Sequence, residues 1–96
     1  MNVKVNVRLL GVFCVFSGKS RITLKLEQPT VRKVVHKLAA SLSVEATRLL
    51  VDPELNDPRP NALILVNGKE ISVLKGLDTK IKEGDEVTLI PVSHGG

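Results

Sequence analysis

The sequence predicts an α+β domain in which a mixed β-sheet carries one main helix across one face. Alternating apolar and polar residues over residues 3–10 and 21–27 indicate two strands, each with one buried face. Apolar residues recur at helical spacing over residues 31–42. Residues 62–66 form an unbroken apolar run, and residues 87–92 form a second, largely apolar run, as is typical of strands inside a sheet.

Turn and capping residues give the order of the first elements. The first two strands should form a hairpin, whose turn or longer loop falls between residues 11 and 20. The main helix opens at Thr30, because its hydroxyl can accept a hydrogen bond from the first turn. Residues 43–61 are the least regular part, with a short helical turn near residues 46–51 and then a proline-rich loop.

The second half of the chain predicts three further strands. After residues 62–66, Asn67-Gly68 is a typical two-residue hairpin turn, and the return strand covers residues 69–73. A connector rich in turn residues follows. Gly84-Asp85 then turns the chain into the last strand, residues 86–92, which completes a sheet of five strands.

Composition restricts the function. The 96 residues make one domain with a single cysteine, which excludes an intramolecular disulfide and a cysteine-based metal cluster. Cys14 lies in the apolar run at residues 9–16, so we interpret it as a buried small hydrophobe. The only aromatic residues, Phe13 and Phe16, offer no stacking platform for single-stranded nucleic acid. We expect a cytoplasmic protein without a bound metal or cofactor, which contacts neither a membrane nor nucleic acid directly.

Charge is divided between the two halves of the chain. Residues 1–48 carry nine basic and two acidic side chains, a net +7, and residues 49–96 carry five basic and eight acidic side chains, a net −3. One interpretation is a molecule that presents opposite signs to different partners, and the other is an ordinary solvated surface. A basic face that binds RNA is a further alternative, which predicts salt-dependent affinity independent of the C-terminus.

The sequence shows no set of residues typical of an active site. It has no paired acid and base, no nucleophile beside a base and no phosphate-binding loop. We therefore predict that the chain is not an enzyme on its own.

The C-terminus, His94-Gly95-Gly96, directly follows the last predicted strand. Glycine has no Cβ, so two terminal glycines fit channels that exclude a side chain. A carboxylate is a poor acyl donor and must be activated, for example as an acyl-adenylate, before a thiolate, persulfide or amine attacks it. The tail therefore indicates that the carboxylate of Gly96 is the reactive group and that Gly95 gives access to it. A chance ending in glycine is the alternative.

Four motifs of the chain occur in the order found in one superfamily. They are Val66-Asn67-Gly68-Lys69-Glu70, Leu74-Lys75-Gly76-Leu77-Asp78-Thr79, Lys82-Glu83-Gly84-Asp85-Glu86-Val87 and Pro91-Val92-Ser93-His94-Gly95-Gly96. With them the chain resembles the ubiquitin-like sulfur-carrier superfamily, which includes the ubiquitin-related modifier, archaeal small modifier proteins, the thiamine sulfur carrier and the small subunit of molybdopterin synthase. The match is strongest over residues 62–96.

The resemblance implies a ubiquitin-like β-grasp domain over residues 1–93 and a flexible tail over residues 94–96. It implies that a ubiquitin-activating-type enzyme uses ATP to adenylate Gly96 and that a sulfur donor protein supplies the sulfur of a thiocarboxylate. This group would serve sulfur transfer, in tRNA thiolation or cofactor synthesis, or conjugation to lysines of target proteins. His94-Gly95-Gly96 and residues 74–78 look more like the ubiquitin-related modifier, which favours a modifier with both roles, whereas Pro91-Val92-Ser93 looks like the molybdopterin synthase subunit. The alternative is the small subunit of molybdopterin synthase, acting with its large subunit.

Five residues are predicted to bind a partner. Four of them should form an apolar patch on the sheet face away from the helix: Ile64, Leu65, Ile90 and Val92. Alternatively, the segment 43–61 covers this face and the four residues belong to a core. The fifth, His94, either positions the tail or is an ordinary linker residue.

Overall fold

A mixed sheet forms the centre of the fold. The computed structural model describes residues 1–92, and its strands are β1 (Asn2–Leu9), β2 (Arg21–Glu27), β3 (Ala62–Val66), β4 (Lys69–Glu70) and β5 (Glu86–Pro91). Their order across the sheet is β2-β1-β5-β3-β4. β1 and β5 run parallel and the other neighbours run antiparallel, so the predicted five-stranded mixed sheet is confirmed.

Three helices accompany the sheet within residues 1–92: α1 (Val12–Ser17), α2 (Val31–Ala40) and α3 (Val44–Leu50). The main helix, α2, begins as predicted, because Thr30 Oγ1 accepts a hydrogen bond from the Lys33 N–H at 3.2 Å. Its apolar stripe is fully buried: Val31, Val34, Val35 and Leu38. The sequence therefore predicted both the position of this helix and the face that it buries.

The core lies between α2 and one face of the sheet. The central strands contribute alternate side chains to it: Val5, Val7, Leu9, Ile64, Val87 and Leu89, each at most 1% exposed. Burial of one such side chain stabilises a fold by about 1.5–3 kcal/mol. The opposite face of the same strands takes no part in this core.

The connection between β1 and β2 contains a helix that the sequence pattern did not predict. Gly11 adopts φ 54° and ψ −132°, which ends β1, and α1 follows at once. Only Phe13 of this helix is buried, while Val15 and Phe16 are 75% and 55% exposed. Cys14 is half-buried, so its interpretation as a buried hydrophobe was wrong. Valine is a poor helix former, which is why the run 9–16 gave no helical signal.

The predicted hairpin at Asn67-Gly68 is present, but its second strand is shorter than expected. Asn67 and Gly68 have φ values of 50° and 84°, as a type I′ turn requires. β4 ends at Glu70 instead of residue 73, because the Glu70 carboxylate accepts hydrogen bonds from the Ser72 N–H (2.6 Å) and Oγ (2.7 Å). These bonds lower the pKa of Glu70 and start a 3₁₀ turn, Ile71–Val73.

Candidate functional site

The last strand, which leads to the tail, lies at the centre of the sheet. β5 pairs with β1 on one side and with β3 on the other. Its pairing ends with a hydrogen bond from the Val92 N–H to the Asn61 carbonyl at 3.0 Å. The predicted residues His94, Gly95 and Gly96 lie outside the described part of the chain. The structure therefore fixes where the tail begins, at Val92.

An apolar surface lies beside this point, on the sheet face away from α2. The register places Leu63 opposite Ile90 and Leu65 opposite Thr88, so these four side chains share one face. Leu63 is 39% exposed and Val92 is 42% exposed, whereas Leu65 and Ile90 are half-buried. The segment 43–61 therefore leaves this face accessible at Leu63 and Val92. We call Leu63, Leu65, Ile90 and Val92 the open-face patch.

Ile64 does not belong to this patch. Its side chain is 1% exposed and lies in the core, on the same face as its partner Leu89. Residues 62–66 are all apolar, so the sequence does not reveal which of two neighbouring residues faces outward. The structure assigns the outward position to Leu63, and it corrects the predicted exposure of Ile64.

The other half of the open face is polar and mainly basic. Arg8 on β1 lies directly opposite Arg21 on β2, and Lys4 lies opposite Lys25. Like charges in such pairs repel. The Glu86 carboxylate partly offsets this repulsion, because its oxygens lie 3.9 Å from Arg8 Nη1 and 3.5 Å from Arg21 Nη1. The open face thus joins a basic half to an apolar half.

Two arginines lie on either side of Val92. One shallow depression, of about 210 Å³, is lined by Val92, Leu63 and Arg59 among others. A second, also of about 210 Å³, is lined by Val92, Leu49 and Arg48 among others. We call Arg48, Leu49, Arg59, Leu63 and Val92 the exit rim, because they surround the start of the tail. The rim combines apolar contact area with two guanidinium groups.

Arg59 is held in place by Asp57. The Arg59 Nε lies 3.0 and 3.1 Å from the two carboxylate oxygens, and Nη2 lies 2.6 Å from Oδ2. The Arg59 backbone N–H also donates to Asp57 Oδ1 at 2.8 Å. These hydrogen bonds lower the pKa of the Asp57 carboxyl and raise the pKa of the Arg59 guanidinium. The pair therefore stays ionised, and the arginine keeps a defined orientation.

Gly11 sets the position of Pro91, the last residue of β5. A Cβ built on Gly11 would lie 2.8 Å from Pro91 Cγ and 3.4 Å from Pro91 Cδ. The backbone of Gly11, at φ 54° and ψ −132°, is also one that residues with a Cβ rarely adopt. Only glycine therefore allows β1 to end this close to the strand that leads to the tail.

Replacement of Gly11 by alanine should destabilise the domain by about 2–6 kcal/mol, since backbone strain and overpacking against Pro91 each cost about 1–3 kcal/mol. Equilibrium urea unfolding measures this loss. Gly18→Ala is the matched control, because Gly18 also has a positive φ, 74°, but its Cβ would meet nothing within 4 Å. Equal losses in the two variants would show that the contact with Pro91 contributes nothing.

Neither a metal-binding cluster nor a membrane-spanning helix occurs in the part of the chain that the structure describes. Residues 1–92 contain no group of three histidine, cysteine or acidic side chains that could hold a metal ion. No helix in this part is long and apolar enough to cross a membrane. The sequence also gave little sign of the residues that lie beside Val92: the Asp57-Pro58-Arg59-Pro60 segment was expected only to belong to a proline-rich loop.

Comparison with known proteins gives similarities over almost the whole chain. A sequence model described as the ThiS family matches residues 7–96. The small archaeal modifier protein 3 of Haloferax volcanii is 30% identical over 95 residues, which cover 98% of this chain and 100% of that protein. Both similarities cover all or nearly all of residues 62–96, over which the resemblance is strongest.

Solved structures agree with this comparison. The solution structure of Urm1 from Trypanosoma brucei superimposes with a TM-score of 0.75 and 29% identity, covering 99% of this chain and 97% of that one. The solution structure of small archaeal modifier protein 1 from Methanosarcina acetivorans gives a TM-score of 0.81 at 24% identity, with 100% and 99% covered. This second likeness shows the fold alone, and it confirms the predicted ubiquitin-like β-grasp arrangement.

Proposed function

Because this chain belongs to the ThiS family and is a ubiquitin-like sulfur carrier or modifier, we propose that its terminal residue, Gly96, is adenylated and then used for both sulfur transfer and conjugation. The similar proteins are small modifiers and carriers. The chain is thus a carrier or modifier and not a catalyst, so that the chemistry on Gly96 requires a partner enzyme.

The observation that carries the proposal is the family match, which extends through residue 96. The structure supports it in a second way, because β5 is paired with β1 up to Leu89 and with β3 up to Pro91, and then ends beside the open-face patch. A strand paired on both sides is a rigid base for a tail that must enter another protein, and rigid positioning of a reacting group supplies much of the rate of such reactions.

The proposed reaction has two steps. In the first, an oxygen of the Gly96 carboxylate attacks the α-phosphorus of ATP, pyrophosphate leaves, and the product is a Gly96 acyl-adenylate. In the second, AMP leaves as a nucleophile attacks the acyl carbon. A persulfide sulfur from a donor protein leads, after a thiol cleaves the S–S bond, to the Gly96 thiocarboxylate. A lysine amine gives an isopeptide bond instead, so that one activated species serves both roles.

The open-face patch is the proposed docking surface for the adenylating enzyme. Leu63 and Val92 are the accessible apolar side chains of the patch, and Leu65 and Ile90 extend it across the sheet. Exposed apolar area beside a reactive terminus is typical of a partner site. The role of His94 in this interaction stays a prediction, as does the final acceptor of the sulfur, whether tRNA or a cofactor precursor.

The test is the intact mass of the tagged protein, recovered from its own host without strong reductant. We expect a form that carries sulfur in place of one terminal oxygen, together with adducts in which Gly96 is joined to lysines of other proteins. Sulfur without adducts would restrict the protein to sulfur transfer. An unmodified carboxylate throughout, with no adducts, would contradict the proposal.

A further inference from the structure

The covalent reach of the tail restricts where a partner can bind. Four residues, 93–96, link Val92 to the proposed reactive carboxyl of Gly96. A chain advances at most about 3.6 Å per residue, so these four residues span at most about 14 Å. Any protein that acts on this carboxyl must therefore approach the domain at Val92. The exit rim is the surface that it meets there.

The arginines of the rim are suited to bind carboxylates. A guanidinium has five N–H donors, and the pairing of Arg59 Nε and Nη2 with Asp57 leaves about three of them available. The Arg59 side chain is 56% exposed, whereas Asp57 is 19% exposed, so the free edge of the guanidinium faces solvent. Arg48 is exposed in the last turn of α3, and within residues 1–92 no carboxylate lies within 4.0 Å of its guanidinium.

The loop that presents Arg59 is itself ordered by hydrogen bonds. The Asp52 N–H donates to the Asp57 carbonyl at 2.9 Å, and Asp52 Oδ1 accepts from the Glu54 and Leu55 N–H groups at 2.9 Å each. The orientation of Arg59 is thus set before a partner arrives. Preorganised groups of this kind lose less entropy on binding than free side chains do.

We infer that Arg48 and Arg59 recognise carboxylates on the rim of the adenylating enzyme's active site, and so select the partner that may act on Gly96. This inference rests on the proposed function and names the chemistry of the partner's surface. Acidic protein side chains fit this surface better than a nucleic acid does. Asp57 already neutralises the charge of Arg59. Apolar contact is available in addition from Leu49, Leu63 and Val92. Arg59 thus contributes directional hydrogen bonds more than net charge.

The experiment is ATP–pyrophosphate exchange by the host's own ubiquitin-activating-type enzyme, with the wild-type chain, Arg48→Glu, Arg59→Glu and the double variant as substrates. We expect each single change to raise KM by about tenfold and to leave kcat within about twofold, because charge reversal at a rim weakens encounter more than chemistry. Raised ionic strength should increase the wild-type KM and have a smaller effect on the double variant.

Lys82→Glu is the matched control. Lys82 is an exposed basic residue in the turn before β5, at the end of this strand opposite Val92. Its reversal should leave KM unchanged. Arg59→Lys and Asp57→Asn test the directional bonds: both should raise KM less than Arg59→Glu does, with an unfolding midpoint close to that of the wild type.

Two outcomes would overturn the inference. One is a wild-type KM in the double variant while the wild-type chain supports exchange, which would leave the proposed function intact. The other is a rise in KM that follows loss of stability across the variants, since that would give the Asp57–Arg59 pair a structural role only. An absence of exchange with the wild-type chain would contradict the proposed function itself, and the inference with it.

Discussion

Deletion of Gly96 is expected to abolish adenylate formation, with loss of detectable ATP–pyrophosphate exchange. The remaining terminus, Gly95, still ends in a carboxylate, but this carboxylate is one residue, or about 3.6 Å, short of the activating site. Misplacement of a reacting atom by even about 1 Å can reduce a rate about a hundredfold. The free energy of unfolding should change by less than about 0.5 kcal/mol, because the described sheet pairing ends at Val92.

Ser93→Ala is the matched control for this deletion. It changes the tail without altering its length or its terminal residue, so exchange should continue at the wild-type rate. Circular dichroism and urea unfolding of both variants verify that the fold is retained. A Gly96 deletion that is adenylated as well as the wild-type chain would contradict the assignment of Gly96 as the reactive residue.

Charge placed at two neighbouring positions of β3 should give opposite results. Ile64→Asp should unfold the domain, because Ile64 is 1% exposed and an aspartate there is buried among apolar side chains without a partner. The expected loss exceeds about 4 kcal/mol, against a total stability of about 5–15 kcal/mol for a domain of this kind. Urea unfolding followed by circular dichroism measures it.

Leu63→Asp should fold and yet be a poor substrate for the adenylating enzyme. Leu63 is 39% exposed on the open face, so its carboxylate remains hydrated and costs little stability, but it introduces charge into the proposed docking surface. The KM for exchange should rise by about tenfold or more. Wild-type exchange kinetics in a folded Leu63→Asp variant would exclude the open-face patch as the docking surface.

The comparison of Ile64 with Leu63 shows what could be predicted from the sequence. The strands, α2 and the Asn67-Gly68 turn follow from local patterns, because alternation, helical spacing and turn residues act over a few neighbours. The sequence does not show which residues of Ala62–Val66 point into the core, because a fully apolar strand has no alternation of apolar and polar residues. Its outward residue depends on the register with β5, which is a tertiary property.

The residues around Val92 were unpredictable for the same kind of reason. Arg48 and Arg59 are eleven positions apart in the segment that appeared least regular, and both lie near Val92 only because α3 and the loop before β3 end there. Gly11 is more than seventy positions from Pro91, and its contact with that proline arises from the parallel pairing of β1 with β5. The roles proposed for Gly95 and Gly96 needed no such knowledge, because that proposal depends on chain position alone.

The central position of β5 has a mechanical consequence. A protein that pulls on the tail applies force along β5, and the ladders with β1 and β3 then resist in shear, with their hydrogen bonds loaded together. The same force along an edge strand such as β2 would be resisted by one ladder only. We therefore expect the domain to resist unfolding by a force applied at its C-terminus. An unfolding enzyme that pulls on the tail would first have to separate β5 from both β1 and β3.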